Sequence, residues 1–337
     1  MKTRQYAIIV LFFISCGGLI FFSSFDQLSH YGAELAPVIK NNSHDLVEES
    51  FFKGVNYFSI ANSKPFIDLF STELSLSNTD GVVLGFGAKG IVYHYDKMGK
   101  VLEPVYFQSK NCRVLLKMKD LFLENDAQIS SGQTSLKAHK IFVKANGEEI
   151  VAQDDVVTTT NILKTSDQVI INSNKANYRP KDRLFQYQDH VYGFIKRKKH
   201  YEESLAFSTD LLMLNTPQSL VSMKGNVTFK KENLEANANR GEVFLENYNK
   251  RLKYYALYDD VRLQERLINN GKTLVRKAFA EKLEGLISEK KIVLTGFPKV
   301  FQQKDVIKGN KIVIRENVET VEVDDANTSI TIEHDKD

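Results

Sequence analysis

Histidines and nucleophilic side chains could support catalysis or metal binding, but their spacing in this sequence indicates neither function. The seven histidines lie far apart, with no H-E-x-x-H pattern and no carboxylate partner at ligand spacing. There is no G-x-S-x-G motif, and the context of Cys112 is not typical of a nucleophile. The sequence therefore predicts no enzyme activity, no cofactor and no metal site. The histidines are His30, His44, His94, His139, His190, His200 and His334.

Adjacent carboxylates occur at Asp154-Asp155, Asp259-Asp260 and Asp324-Asp325. On a β-strand, neighbouring side chains point to opposite faces, so such pairs would not converge on one substrate. Aspartate is also a common turn residue. We therefore interpret these pairs as corners of the chain and not as acid/base machinery.

A G-x-G-x-x-G pattern lies at Gly85, Gly87 and Gly90, directly after an apolar stretch. A dinucleotide site requires a helix to follow these glycines, so that its N-terminal N–H groups meet the pyrophosphate. The residues that follow, Ile91-Val92-Tyr93-His94-Tyr95, are β-branched and aromatic. The pattern predicts glycines between two strands.

Charge and cysteine content exclude further classes. The 337 residues carry a formal net charge of +3, too small to indicate nucleic-acid binding. Cys16 and Cys112 are the only cysteines, so a disulfide scaffold and a cysteine-rich zinc module are excluded. One dense basic run, Lys196, Arg197, Lys198 and Lys199, fits either a solvated hairpin tip or a contact to an anionic lipid or phosphate.

The N-terminus reads as a membrane anchor. Residues 6–24 contain no charge, and as a helix they would span roughly 28 Å, close to the hydrocarbon thickness of a bilayer. Lys2 and Arg4 precede the run, which places the N-terminus in the cytoplasm and the body outside. A cleaved signal peptide would need a shorter apolar core. A lipoprotein signal at Cys16 is the closer alternative, but the run continues beyond it.

Beyond a polar linker, a repeat dominates the body. A pair of polar or turn-forming residues followed by a small or β-branched residue recurs along the chain. Successive third positions are 29, 35, 36, 34 and 39 residues apart. Such a period predicts stacked hairpins. The six positions are Asn125-Asp126-Ala127, Asp154-Asp155-Val156, Asp189-His190-Val191, Gly225-Asn226-Val227, Asp259-Asp260-Val261 and Pro298-Lys299-Val300.

Between these points a small residue precedes an apolar one by three positions, at Ala138/Ile141, Ser173/Ala176, Ser208/Leu211 and Gly309/Ile312. Small side chains suit sharply bent strands. Residues 275–286 are rich in helix formers, and strand or helix stays open there on propensity; we favour strand because the repeats set the period. The predicted fold is an all-β, elongated, curved antiparallel jellyroll after one N-terminal transmembrane helix.

The sequence from Ile292 to Ile312 resembles that of a known family, the OstA-like β-jellyroll proteins of the lipopolysaccharide transport bridge. The residues that carry the resemblance are Gly296, Pro298-x-Val300, Gln302 and Asp305-x-Ile307-x-Gly309-x-x-Ile312, together with Gly225-Asn226-Val227. They are similar to the periplasmic A component, whereas the anchor and early strands are similar to the membrane-anchored C component. The resemblance implies a groove that holds acyl chains, and no enzymatic step.

On this resemblance the chain divides into a cytoplasmic N-terminus 1–5, an anchor 6–24, a linker 25–50, a C-like jellyroll 51–214, an A-like jellyroll 215–330 with a soft boundary, and an acidic tail 331–337. The expected partners are the lipid A acyl chains of lipopolysaccharide, an inner-membrane ABC transporter, and bridge components that pair with edge strands. Alternate apolar positions are the expected groove residues: Ile141, Val143, Leu211, Met213, Val227, Phe229, Ile312, Ile314, Val321 and Val323.

The C-terminal segment Ser329–Glu333 alternates and predicts a terminal edge strand through Ile330 and Ile332, suited to pairing with a partner. The predicted function is transfer of lipopolysaccharide by an inner-membrane-anchored periplasmic bridge protein. A structural envelope β-solenoid without a lipid ligand is the alternative. A continuous open apolar trough would favour the first, and a packed interior the second.

Overall fold

The computed structural model describes residues 49–61, 63–77, 81–96, 98–144, 147–162, 167–198, 204–245, 252–269, 272–303, 305–316, 318, 321–324 and 327–329. The predicted anchor at 6–24, the linker up to residue 48 and the acidic tail lie outside this range. Within it, no helix is long and apolar enough to cross a membrane.

Almost all described residues belong to antiparallel strands that follow one another in a meander. The strands are β1 Glu49–Ala61, β2 Lys64–Ser77, β3 Val82–Val92, β4 Val105–Leu115, β5 Asp120–Ser131, β6 Thr134–Val143, β7 Ile150–Ile162, β8 Asp167–Arg179, β9 Leu184–Lys196, β10 Leu205–Asn215, β11 Leu220–Lys231, β12 Leu234–Leu245, β13 Leu252–Asn269, β14 Lys272–Leu286, β15 Lys291–Thr295, β16 Lys299–Gln302, β17 Asp305–Lys308, β18 Lys311–Arg315, β19 Val321–Asp324 and β20 Asn327–Ser329. The all-β prediction is confirmed. Residues 275–286, where helix and strand were both open, lie in β14.

Each of the first fourteen strands pairs with its sequence neighbour, from β1–β2 to β13–β14. Beyond β14 the long strand is replaced by two short ones. β15 pairs with residues 282–286 of β14, and β16 with residues 276–279. β18 and β19 continue the side begun by β15, while β17 and β20 continue the side begun by β16. The meander therefore continues to the C-terminal end as two side-by-side rows of short antiparallel strands.

The predicted repeat marks the corner where each odd-numbered strand from β5 to β13 bends. Both residues of Asn125–Asp126, Asp154–Asp155, Asp189–His190, Gly225–Asn226 and Asp259–Asp260 have positive φ, and the ladder slips register there. Asn, Asp and Gly tolerate the left-handed region better than other residues. At the sixth position the left-handed residues are Gly296 and Phe297, so that bend precedes Pro298.

Four even-numbered strands, β2, β4, β8 and β10, turn the same corner with a buried hydroxyl. Ser71, Ser109, Ser173 and Thr209 each donate a hydrogen bond to the carbonyl oxygen two residues onward, at 2.6–3.2 Å. Thr209 also donates to the carbonyl oxygens of Lys224 and Gly225. The predicted small residue Ser173 has this role, whereas in β10 the corner hydroxyl belongs to Thr209 and not to Ser208. A hydroxyl satisfies backbone acceptors that the interrupted ladder leaves open.

The corners fold the sheet into two layers with facing inner surfaces. The first layer contains residues 120–124, 140–143, 150–153, 175–179, 184–188, 211–215, 220–224, 240–245, 252–258 and 282–286 with β15, β18 and β19. The second contains residues 105–109, 127–131, 134–138, 156–162, 167–173, 191–196, 205–209, 227–231, 234–238, 261–269 and 272–280 with β16, β17 and β20. Rings of Phe229 and Tyr255 meet across the layers at 5.4 Å.

On the outer ridge, the paired carboxylates take part in cross-strand ion pairs. Asp126, Asp154, Asp189 and Asp259 each lie 2.5–3.7 Å from a Lys or Arg of the preceding strand. These side chains are about half or more exposed, so each pair contributes little to stability. Their place at the corners supports turn chemistry as the reason for the carboxylate couples.

Candidate functional site

A groove of about 680 Å³ lies between the two layers. Its wall is mostly apolar because alternate residues of each strand point inward. The second layer contributes Ile129, Leu136, Ile171, Ile195, Leu205 and Phe207, and the first layer contributes Ile150, Tyr178, Phe185, Tyr187, Leu214 and Val221. The groove extends from β4 to β12, at right angles to the strands.

The aromatic side chains of the first layer form one stack inside the groove. The rings of Tyr178 and Phe185 lie 4.0 Å apart and nearly parallel, and Tyr187 follows at 6.4 Å from Phe185. Burial raises the pKa of Tyr187 to about 12, so its hydroxyl stays neutral. The stack gives this wall a broad, uncharged surface.

Glycines make room for the aromatic rings of the interior. Gly193 stands opposite Phe207 on the neighbouring strand, and a Cβ added at Gly193 would lie 1.9–2.4 Å from three atoms of that ring. Gly285 has the same relation to Tyr255, and Gly90 lies against the end of the Phe107 ring. A ring placed over a glycine covers backbone that no side chain of its own could shield.

Polar residues surround the mouth of the groove, where the hairpin tips of both layers lie. Ser131, Gln133 and Thr134 belong to the β5–β6 tip, and Thr216 and Ser219 to the β10–β11 tip. Hydroxyl and amide groups at the rim can hydrogen-bond sugars or water. The wall and rim together suit an amphiphile whose apolar part lies inside and whose polar part faces out.

The segment 93–104, between β3 and β4, bounds the N-terminal end of the groove through His94, Leu102 and Glu103. Its backbone is fixed by hydrogen bonds from Tyr93 N to Phe66 O and from Leu102 N to His94 O, at 2.9 and 2.8 Å. His94 is only 3% exposed. Burial lowers the pKa of its imidazole to about 4, with a small opposing effect of the Gly147 backbone.

The buried His94 predicts acid sensitivity. Its folded-state pKa of about 4 lies below the unfolded value of 6.5, so the unfolded chain binds the proton first as the pH falls. The free energy of unfolding should therefore drop by about 3 kcal/mol between pH 6.5 and pH 4. Urea unfolding across this pH range measures the drop. The variant His94→Phe should show a smaller drop, and an equal drop in both proteins would contradict the assignment.

A buried polar cluster bounds the C-terminal end of the groove. Arg276 of β14 is fully buried, and its Nη1 donates to the Glu265 carboxylate of β13 at 2.9 Å. Its Nε donates to the Gln302 side-chain oxygen at 2.9 Å, and its Nη2 to the Val318 carbonyl oxygen at 2.8 Å. Low dielectric strengthens such bonds but makes the loss of one partner costly.

A second ion pair beside the cluster joins the two layers. Lys231 ends β11 in the second layer, and its Nζ lies 2.5 Å from the Glu316 carboxylate, which directly follows β18 of the first layer. Both groups are largely buried. Within the described residues, the interior therefore holds an apolar groove that is bounded at both ends, which is neither a fully packed interior nor a trough open from end to end.

The structure separates the predicted groove residues into five groups. Phe229 lines the groove. Ile141, Val143 and Val227 belong to the buried core beside it, and Ile312 and Ile314 are fully buried beyond the polar cluster. Val321 and Val323 are half-buried in β19. Leu211 and Met213 lie instead on the outer face with Arg240 and Tyr258, while Leu212 and Leu214 of the same strand line the groove.

The structure describes three residues of the predicted basic run, but not Ile330 and Ile332 of the predicted terminal edge strand. Arg197 lines the groove and donates to the Asp167 carboxylate at 2.9 Å, and Lys198 N donates to the same group at 3.1 Å. Lys196 and Lys198 are exposed. Lys199 and the pair Ile330 and Ile332 lie outside the described residues; the last described strand is β20.

Sequence reasoning missed the polar cluster and the aromatic stack. Glu265 and Arg276 look like surface residues in isolation. The alternation of the strands nevertheless indicated that both side chains point inward. Glu265 lies two residues from Leu263 and from Leu267, and Arg276 two residues from Leu274 and from Ala278; all four neighbours are buried. Tyr178, Phe185 and Tyr187 showed no signal beyond the same alternation.

Among the described residues, no group of three or more His, Cys, Asp or Glu could hold a metal ion. Cys112 is buried, and burial raises the pKa of its thiol to about 12, which suppresses the reactive thiolate. The glycines of the G-x-G-x-x-G pattern lie within β3. No helix follows them, which agrees with the strand interpretation.

The C-terminal part of the chain is similar to a known protein family. Residues 208–320 match the family model described as LptA/(LptD N-terminal domain) LPS transport protein. No match was found among curated proteins. Of the solved structures, LptH from Pseudomonas aeruginosa, the LptA homologous periplasmic component of its lipopolysaccharide transport device, is 15% identical, with 38% of this chain and 95% of that chain covered and a TM-score of 0.35. Residues 208–320 therefore carry a domain of the OstA-like family of lipopolysaccharide transport proteins.

Proposed function

We propose that the groove holds the acyl chains of lipopolysaccharide, and that the chain acts as a non-enzymatic bridge protein in its export. The observation that carries the proposal is the apolar groove of about 680 Å³ between the two layers. Its polar rim suits the sugar headgroup. The family of the domain at residues 208–320 supports the same function.

The two ends of the sheet suit pairing with neighbouring proteins. β1 pairs only with β2 among the described strands and exposes Phe51, Phe52, Phe58 and Ile60. At the other end, β19 and β20 each pair on one side within the described residues. Open edges of this kind accept a partner strand. We propose that bridge components of the periplasm or outer membrane pair there.

The proposal places the body in the periplasm and residues 6–24 across the inner membrane, where an ABC transporter would deliver the lipid. The charge-free run supports the anchor. Replacing residues 1–24 with a cleaved signal peptide should release the body into the soluble periplasmic fraction. If the body stays with the membrane fraction, the anchor at this position is wrong.

Photo-crosslinking in cells tests the lipid. A photoreactive amino acid at Ile195, on the groove wall, should capture lipopolysaccharide. The matched control is Tyr192 of the same strand, which is 48% exposed and three residues away on the outer face. Adducts at Ile195 but not at Tyr192 support the function. A folded protein with no adduct at Ile195 would instead support a structural envelope role.

A further inference from the structure

The C-terminal strands present outer faces of opposite character in the two layers. On the first layer, outward lysines have carboxylate partners at 2.7–3.6 Å; the pairs are Lys282–Glu284, Lys291–Glu289 and Lys311–Asp324. On the second layer, most cations of the same region have no such partner. Because charged groups of both layers stand at the same end of the sheet, the difference points to a separate use of the second layer's outer surface.

This surface consists of the outward residues of segments 261–269 and 272–280 and of β16 and β17, and we name it the cationic face. It carries five exposed cations, which are Arg262, Arg266, Lys277, Lys299 and Lys308. Arg262 pairs with Asp260 at 2.6 Å. The other four form no ion pair or side-chain hydrogen bond with any described residue. No described Asp or Glu occupies an outward position of these segments, although Asp260 and Glu281 border them at the corner and Glu235 on β12.

Exposed aromatic rings lie between these cations. Phe279 stands opposite Arg262 on one side and Lys299 on the other. Phe301 stands opposite Lys277. The two rings meet edge to face at 5.8 Å and are 42% and 39% exposed. Directly opposite side chains share one face of a sheet, so apolar and cationic groups alternate across this surface.

The alternation fits the surface of a bilayer better than that of a protein. The centre of a protein interface is depleted of charged residues, lysine among them, whereas here each ring has a lysine or arginine as its direct neighbour. At an anionic bilayer, basic side chains meet the lipid phosphates while phenylalanine rings enter the boundary between headgroups and acyl chains. The long stems of lysine and arginine allow both contacts at once.

We propose that the cationic face docks on the surface of a bilayer that contains anionic phospholipids. Its lysines supply the electrostatic attraction, and Phe279 and Phe301 supply the apolar contact. The face belongs to the C-terminal strands, whereas the proposed anchor precedes β1 in the sequence, so the docking is a second attachment to a membrane. It goes beyond the proposed function and does not require a lipid in the groove.

Flotation with vesicles tests the docking. The full-length protein in phosphatidylcholine nanodiscs is mixed with vesicles of phosphatidylglycerol and phosphatidylcholine, at a ratio of about 3:7, which have a negative surface potential. The protein should float with them, but not with pure phosphatidylcholine vesicles, and high salt should release it. The triple variant Lys277→Gln, Lys299→Gln and Lys308→Gln should bind about a hundredfold more weakly, because each cation near the surface contributes about fivefold.

The matched control is the triple variant Lys282→Gln, Lys291→Gln and Lys311→Gln, which removes the same charge from the first layer. Its vesicle binding should fall less than about threefold, because these lysines are already paired with carboxylates. Urea unfolding should show that both variants keep the stability of the wild type to within about 1 kcal/mol. Equal losses of binding in the two variants, or no binding of the wild type to anionic vesicles, would overturn the proposal.

A single tryptophan reports whether the rings enter the bilayer, since the sequence contains none. The emission of Phe279→Trp should shift to shorter wavelength and be quenched by vesicles that contain brominated phosphatidylglycerol. Tyr254→Trp, in the first layer, should show neither effect. Flotation without quenching at residue 279 would overturn the proposal. A response of Phe279→Trp to soluble polyglutamate but not to vesicles would also overturn it, and would identify the face as a docking site for an acidic protein.

Discussion

Arg276→Ala should lower the free energy of unfolding by about 3–5 kcal/mol, because it removes the guanidinium that pairs with the buried Glu265 carboxylate. The carboxylate is 1% exposed and receives Nη1 of Arg276 at 2.9 Å. The change also removes the donors to Gln302 and to the Val318 carbonyl oxygen. Urea unfolding of the variant and the wild type at neutral pH measures the difference.

Two further variants test whether the cause is the loss of the buried ion pair. Replacing both partners, as Arg276→Met with Glu265→Met, should cost far less than Arg276→Ala alone, because neither charge of the pair then remains buried. Arg240→Ala provides the matched surface control. Its ion pair with Asp259 has side chains 57% and 49% exposed, so we expect a loss below about 1 kcal/mol. Equal losses in Arg276→Ala and Arg240→Ala would contradict the buried cluster.

The polar cluster also has a consequence for transport. It separates the groove at β4–β12 from the fully buried Ile312 and Ile314 near the C-terminal end. On the proposed function, a lipid that leaves toward the C-terminal edge must pass the buried charges of Arg276 and Glu265, beside the Lys231–Glu316 pair. The double methionine variant, which keeps the interior apolar, should therefore increase lipid capture by a photo-crosslinker at Ile307.

Gly193→Ala should lower the free energy of unfolding by about 2–3 kcal/mol, because its methyl group would overlap the Phe207 ring. An added Cβ would lie 1.9 Å from Cζ of that ring, which must then leave its place on the groove wall. The displaced ring should also reduce lipid capture at Ile195. Urea unfolding measures the stability, and the photo-crosslinking yield measures the change of the wall.

Gly241→Ala is the matched control, since it also adds one methyl group to an inward-facing glycine. There the nearest atoms belong to the side chains of Val227, Leu257 and Met223 and lie at 3.1–3.3 Å, so they need to move by only a few tenths of an ångström. We expect a loss below about 1 kcal/mol. Adding Phe207→Leu to Gly193→Ala should recover part of the stability, as expected for two residues in contact. Additive effects of these two changes would show that the ring is not the cause.

Much of the architecture could be predicted from local sequence. The couples Asn125–Asp126 and Asp259–Asp260 indicated corners because few residue types tolerate the left-handed backbone that a corner requires. Period-two alternation indicated strands, and the spacing of the couples indicated one hairpin per repeat. The motif around Pro298 and Gly309 indicated the family, which the domain at residues 208–320 confirms. The likeness to a C component, and the domain boundary, stay predictions.

The candidate site was less accessible to the same reasoning. Alternation predicts that Leu211 and Leu212 face opposite sides of the sheet, but it does not show which side is the inner one. The prediction placed Leu211 and Met213 in the groove, whereas the structure has them on the outer face. The hydroxyl of Thr209 and the slip of register beside it fix the phase of that strand. Such a slip depends on pairing with β9 and β11, which no local pattern contains.

By itself, the sequence determined the strands, their corners and their order, because these follow from backbone preferences and side-chain alternation of neighbouring residues. Only the tertiary structure decided that Arg276 meets Glu265 inside the sheet, that Phe207 covers Gly193, and that His94 is buried at the N-terminal end of the groove. Each of these depends on two layers facing each other, and the distance between layers is set by packing across the whole sheet.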